Sequence, residues 1–102
     1  MDSSPVITDA AERRRFEAHV NGTMAGFAEY IRTPDLVVYP HTVVDDEYEG
    51  QGIGAALARA ALDDARVRGI RVLATCPFIH SWMERHPEYG DLAYQNRSHV
   101  TD

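Results

Sequence analysis

The segment Glu49-Gly50-Gln51-Gly52-Ile53-Gly54 has the residue types and spacing to hold an anion. Three alternate glycines let a backbone turn tightly and expose several N–H groups, and a helix starting there adds the positive end of its dipole. The chemistry is that of a phosphate or pyrophosphate seat. The plainer alternative is a glycine-rich turn with no ligand, although glycines at i, i+2 and i+4 exceed what a simple turn requires. A dinucleotide fingerprint can be laid on Gly50, Gly52 and Ala55, but that motif follows the first strand of a sheet larger than this chain can supply. A Walker loop is excluded, because the chain contains no lysine.

Cys76 is the single cysteine, and it precedes Pro77 at the start of a helical pattern. A thiol at a helix N-cap is biased towards thiolate, and His80 at i+4 is expected on the same face, so the two could form a Cys/His pair for nucleophilic catalysis. The bland alternative is a buried cysteine and an exposed histidine. His41 and Thr42 end a β-rich stretch just before the glycine segment; His41 is either a general base or a polar residue on a wet strand face. Glu29 and Tyr39 are further acid–base candidates, Glu29 being more simply a solvent-facing member of an alternating strand. No metal is expected, because Cys76, His80 and His86 are dispersed and lack closely spaced pairs.

These residues need elements to position them. Phe16, Ala18 and Val20 alternate with polar neighbours over residues 15–20, and Asn21-Gly22 follows as a strong hairpin signal. A return strand over 23–31, a turn at Thr33-Pro34-Asp35 and a third strand over 36–44 make an antiparallel meander, with a bulge or edge expected at Pro40. The period then changes. Gly54, Leu57, Ala58, Ala61, Leu62 and Ala65 form one helical stripe that ends at Gly69 as a left-handed C-cap. Ile70 to Thr75 read as a short buried strand reached by a right-handed parallel crossover. A second helix follows from Pro77, carrying Phe78, Ile79, Trp82, Met83 and His86, and Pro87 closes it. Trp82, Met83 and Tyr89 read as core. The tail from Tyr94 onward is polar and expected to fray.

The chain has 102 residues, 44% hydrophobic and 25% charged, with a formal charge of −6. That is one α/β domain over 1–102 with its core at about 14–92, and it leaves no material for a second domain. No apolar run approaches a membrane span, Met1-Asp2-Ser3-Ser4-Pro5 lacks the character of a secretory signal, and the lone cysteine suits a reducing compartment; a cytoplasmic protein is expected. All cationic side chains are arginine, scattered except for Arg13-Arg14-Arg15, so nucleic acid is not an expected partner. Asp45, Asp46, Glu47 and Glu49 cluster, which suits a solvated loop and also a cationic substrate.

The meander, then Glu49-Gly50-Gln51-Gly52-Ile53-Gly54 opening a helix, then a parallel strand resembles the acetyl-CoA-binding core of the GNAT N-acetyltransferases, whose signature is Gln/Arg-x-x-Gly-x-Gly/Ala. His41-Thr42, Thr75-Cys76-Pro77-Phe78 and His86-Pro87-Glu88-Tyr89 are similar to motifs of a short single-domain branch of that superfamily. The resemblance covers about residues 14–92. It implies acetyl transfer from acetyl-CoA to an amine, small molecule or peptide, of unknown identity. It further implies that Gln51, Gly52, Ile53 and Gly54 offer N–H groups to the coenzyme A pyrophosphate while Val43, Val44 and Asp45 line the pantetheine arm. Thr42, His80 and Glu29 are acid–base or acceptor-side candidates, and His41 and Cys76 the catalytic ones. Transfer is either direct, with His41 taking the amine proton, or through acetylated Cys76. A non-catalytic acyl-CoA sensor is the alternative, and the oligomeric state is expected to be monomer or weak homodimer. Glu49 departs from the signature's Gln or Arg and brings negative charge to a polyanion's site.

Overall fold

The computed structural model describes residues 4–94. Five strands lie in sequence order in one sheet: β1 (Val6–Ala10), β2 (Arg15–Val20), β3 (Thr23–Arg32), β4 (Leu36–Val44) and β5 (Arg71–Leu73). The first four pair antiparallel, and β5 joins β4 in parallel after the long helix α1 (Ile53–Arg68). A second helix, α2 (Pro77–Arg85), and a 3-10 segment over Pro87–Leu92 complete the α/β fold. β1 lies outside the expected core. Its residues are mostly exposed along an edge, so they carry no apolar alternation that would mark a strand.

The β2–β3 hairpin turns at Asn21 and Gly22, both with positive φ, as that dipeptide favours. Phe16, Ala18 and Val20 then face the same side as Ala28, Tyr30, Val37 and Tyr39, and the apolar stripe of α1 packs on them through Ile53, Leu57, Ala58, Ala61, Leu62 and Ala65. The bulge expected at Pro40 is present: Glu29 pairs with His41 and Ile31 with Val38, so β4 spends one more residue than β3 there. The Tyr39 hydroxyl, whose titration burial pushes far upward, donates to the Ala61 carbonyl at 2.7 Å and ties this irregular point to α1. α1 ends at Gly69 in the left-handed conformation, as the sequence predicts. The strand after it is shorter than 70–75. Pairing with β4 covers Arg71 to Leu73 only, and the chain then leaves the sheet for the N-cap of α2.

The other side of the sheet carries Arg15, His19, Phe27, Glu29 and His41, all partly or fully exposed. Glu17 is the exception on that side at 6% exposed. The Arg15 guanidinium donates to its carboxylate at 2.7 Å and holds its titration below the ordinary 4.5, against the opposing effect of burial. At the described end of the chain the Tyr94 N–H donates to the Val72 carbonyl, pairing it with β5; the rest of the polar tail lies outside the described residues.

Candidate active site

Two features meet beside the start of α1. The first is the turn that delivers the chain into the helix. Asp45 accepts from the Glu47 N–H at 2.9 Å and starts a single 3-10 turn over Asp46–Tyr48. Gly50 and Gly52 follow with φ of 81° and 79°, a conformation that L side chains rarely adopt. Gly52 is the N-cap of α1, and no side chain caps the helix or places a carboxylate in its first turn. The first helical hydrogen bond runs from the Ala56 N–H to the Gly52 carbonyl, so the amides of Ile53, Gly54 and Ala55 have no acceptor within the helix. This is a cradle with the polarity for phosphate, and it fits the nucleotide end of coenzyme A.

The residues of this cradle differ by one position at each end from those inferred from the sequence. The Gln51 N–H is committed to the Tyr48 carbonyl at 3.3 Å and its side-chain amide to the Glu47 carbonyl at 3.4 Å. Ala55 joins Gly52, Ile53 and Gly54 instead, because an α-helix leaves its first turn of donors free whatever the side chains are. An open cleft of about 360 Å³ lies against them, bordered by Val44, Glu49, Phe78, Trp82 and Arg85. A Cβ at Gly54 would lie 2.8 Å from the tip of the exposed Phe78 ring, so a side chain there would require that ring to shift. Phe78, Trp82 and Arg85 come from α2 and have no sequence motif that ties them to the glycine turn. The acidic cluster is exposed, and of its members Glu49 borders this cleft while Asp45 borders a small recess on the far side with Phe27 and Val43.

The second feature is the divergence of β4 from β5. Their pairing stops at Val38 and Leu73, so among the described residues β4 is hydrogen-bonded as sheet on one side only from His41 to Val44. The Cys76 N–H closes the apex by donating to the Tyr39 carbonyl at 2.9 Å. Cys76 is 4% exposed, and its thiol lies 3.4 Å from the Thr42 hydroxyl as donor to it. Strand alternation places Thr42 and Val44 on the helix-covered side, and His41 and Val43 on the open side, where His41 is paired with Glu29 and meets the Phe27 ring edge.

The structure does not bring Cys76 and His80 together. Cys76 has the extended N-cap backbone, φ −71° and ψ 123°, so the i, i+4 rule for helical residues does not apply to it. Its side chain turns to β4, whereas His80 stands exposed on α2 with its Nε2 3.3 Å from Glu84. His86 stacks on Trp82 with ring centroids 3.6 Å apart. Among the described residues no three His, Cys, Asp or Glu side chains gather as metal ligands, and no helix is long and apolar enough to cross a membrane.

Comparison with known proteins fits this geometry. A family model described as GCN5-related N-acetyl-transferase matches residues 15–92. Protein NATD1 of Mus musculus is 35% identical over 81 residues, covering 74% of this chain and 71% of that protein. The solution structure of a GCN5-like putative N-acetyltransferase from Staphylococcus aureus superposes with a TM-score of 0.67 at 23% identity, covering 99% of this chain and 100% of that one. The ribosomal-protein-S18-alanine N-acetyltransferase from Escherichia coli superposes with a TM-score of 0.57 at 25% identity, covering 72% of this chain and 43% of that one. The chain belongs to the GCN5-related N-acetyltransferases, acetyltransferases whose acetyl donor is acetyl-CoA.

Proposed function

We propose that this chain transfers the acetyl group directly from acetyl-CoA to an amine that approaches β4 from the open side of the sheet. The observation that supports this reading is the one-sided stretch of β4 from His41 to Val44 beside the uncapped start of α1. A polyanionic donor gains most at the free amides of Gly52 to Ala55, and its pantetheine arm would run along Val43, Val44 and Asp45 towards the divergence. Backbone donors of β4 that have no partner in β5 can then polarise the thioester carbonyl. The open side offers His41 as the base that takes the amine proton, with Glu29 paired to it across β3 and β4. Carbon–nitrogen bond formation then expels the coenzyme thiolate, which leaves as thiol once protonated. A cationic amine is the favoured acceptor, because Glu29 lies across from His41 on that side.

Burial of Cys76 against Thr42 favours a role in shaping the divergence over one as acetyl carrier. Amine-dependent release of coenzyme A thiol decides between them. His41→Ala is expected to lower kcat about 100-fold, while Cys76→Ala keeps turnover within about threefold. Loss of turnover in Cys76→Ala together with an acetylated wild-type cysteine in the absence of amine would instead establish the covalent route. Binding of acetyl-CoA without release by any amine in a broad panel would favour the sensor.

A further inference from the structure

The cleft beside the glycine turn contains a cation that no motif announces. Most described arginines are already engaged. Arg13, Arg15, Arg32, Arg66 and Arg68 are ion-paired with carboxylates, Arg59 lies 5.2 Å over the Trp82 ring, and Arg71 donates to the Asp91 carbonyl. The Arg85 side chain has neither an ion pair nor a hydrogen bond among the described residues, and it borders the cleft together with Glu49 and the glycines. Arg14 is also without a side-chain partner, but it stands in the left-handed turn between β1 and β2.

We propose that Arg85 binds a phosphate group of coenzyme A and so compensates for Glu49 within the donor site. The inference rests on the reading that the first turn of α1 holds the phosphates. Helix amides supply only about half a positive charge there, and Glu49 places a full negative charge in the same cleft. A donor with several phosphate charges would meet a site of net negative character unless a side-chain cation entered it. Arg85 is that cation. An unpaired guanidinium can turn its fork of donors to a phosphate without first breaking an ion pair, and such charge-assisted bonds are among the strongest available. The Arg85 side chain is exposed, and the helix that carries it is anchored by Trp82, which is buried and stacked on His86.

The test is calorimetric titration of the full chain with coenzyme A and with dephospho-coenzyme A, using wild type, Arg85→Ala, Arg85→Lys and Glu49→Gln. Arg85→Ala is expected to weaken coenzyme A about tenfold or more, Arg85→Lys less, and Glu49→Gln to tighten it. The loss should shrink as salt rises. A loss confined to coenzyme A puts Arg85 on the 3′-phosphate, and a loss shared with the dephospho form puts it on the pyrophosphate; either supports the proposal. Wild-type binding with unchanged affinity in Arg85→Ala overturns it and leaves the phosphate cradle standing. Failure of wild type to bind either compound overturns the cradle and the proposal together. Thermal melting of the unliganded variants, expected to coincide with wild type, separates these effects from misfolding.

Discussion

The two ends of α1 are built on opposite principles. At its C-terminus every device that satisfies a helix end is in use: the Gly69 N–H reaches the Ala65 and Arg66 carbonyls, and the Ile70 N–H reaches Ala65 at 3.1 Å. Arg66 and Arg68 in the last turn complement the dipole and are themselves paired with Asp91 and Asp64. At the N-terminus nothing comparable occurs. The N-cap is Gly52, the first turn has no acid, and three amides face an open cleft. A glycine N-cap forgoes the side-chain acceptor that Ser, Thr, Asp or Asn would supply, and its φ of 79° keeps those residues out. The contrast teaches that the helix is secured from its far end and from the core stripe, which leaves the near end free to exchange water for an anion.

The strongest way to break this comparison is to satisfy the near end. Ala55 is exposed at the third helical position, where a glutamate both complements the dipole and can reach back to the N-cap. Ala55→Glu is expected to stabilise the unliganded protein by about 0.5 kcal/mol while weakening acetyl-CoA by tenfold or more, on the order of a like charge brought next to a phosphate. The opposite signs are the diagnostic. Thermal melting and a binding titration on the same samples measure both, and a variant that gains stability with no loss of affinity would show that the amides of Ile53, Gly54 and Ala55 are not the phosphate seat.

The reverse experiment disturbs the far end. Gly69 has φ of 72° and nothing within 4 Å of a built Cβ, so Gly69→Ala meets backbone strain without a clash. The expected cost is about 1 kcal/mol, or about 5 °C in melting midpoint for a domain of this size. Acetyl-CoA affinity and turnover below the transition should stay at wild-type values. A fall in affinity as large as that from Ala55→Glu would mean that the two ends are coupled through the helix and that the division of labour is wrong.

Local rules made much of this fold legible. The Asn21-Gly22 hairpin, the bulge at Pro40, the α1 stripe and the Gly69 cap are each dictated by a few neighbouring residues, and each is observed. Edges were harder: β1 lacks alternation because its neighbours are water on one side, and β5 is shorter than its apolar run because Cys76 is drawn to Tyr39. Within the site, the glycine turn was legible, since its residues are contiguous. The contributions of α2 were not, because Phe78 and Arg85 reach the cleft through tertiary packing that no spacing encodes. The Cys76–His80 pairing failed for a related reason, as helical spacing was applied across an N-cap whose backbone is extended.

A smaller perturbation sharpens the same contrast by isolating charge from cap geometry. Arg68 pairs with Asp64 at 2.7 Å four residues earlier in the helix and lies 3.7 Å from Asp9, but it remains 41% exposed. Asp64 also keeps Arg32 at 3.1 Å, so removing Arg68 strands no carboxylate. Arg68→Gln is therefore expected to cost only about 0.5 kcal/mol at low salt, with most of that loss gone by about 1 M salt, where charges this exposed are screened. Equilibrium urea unfolding at the two salt concentrations reads the difference directly. A loss that persists at high salt would assign the stabilisation to the packing of the arginine stem over the end of α1, and the far end would then be secured by Gly69 and apolar burial with no contribution from the dipole.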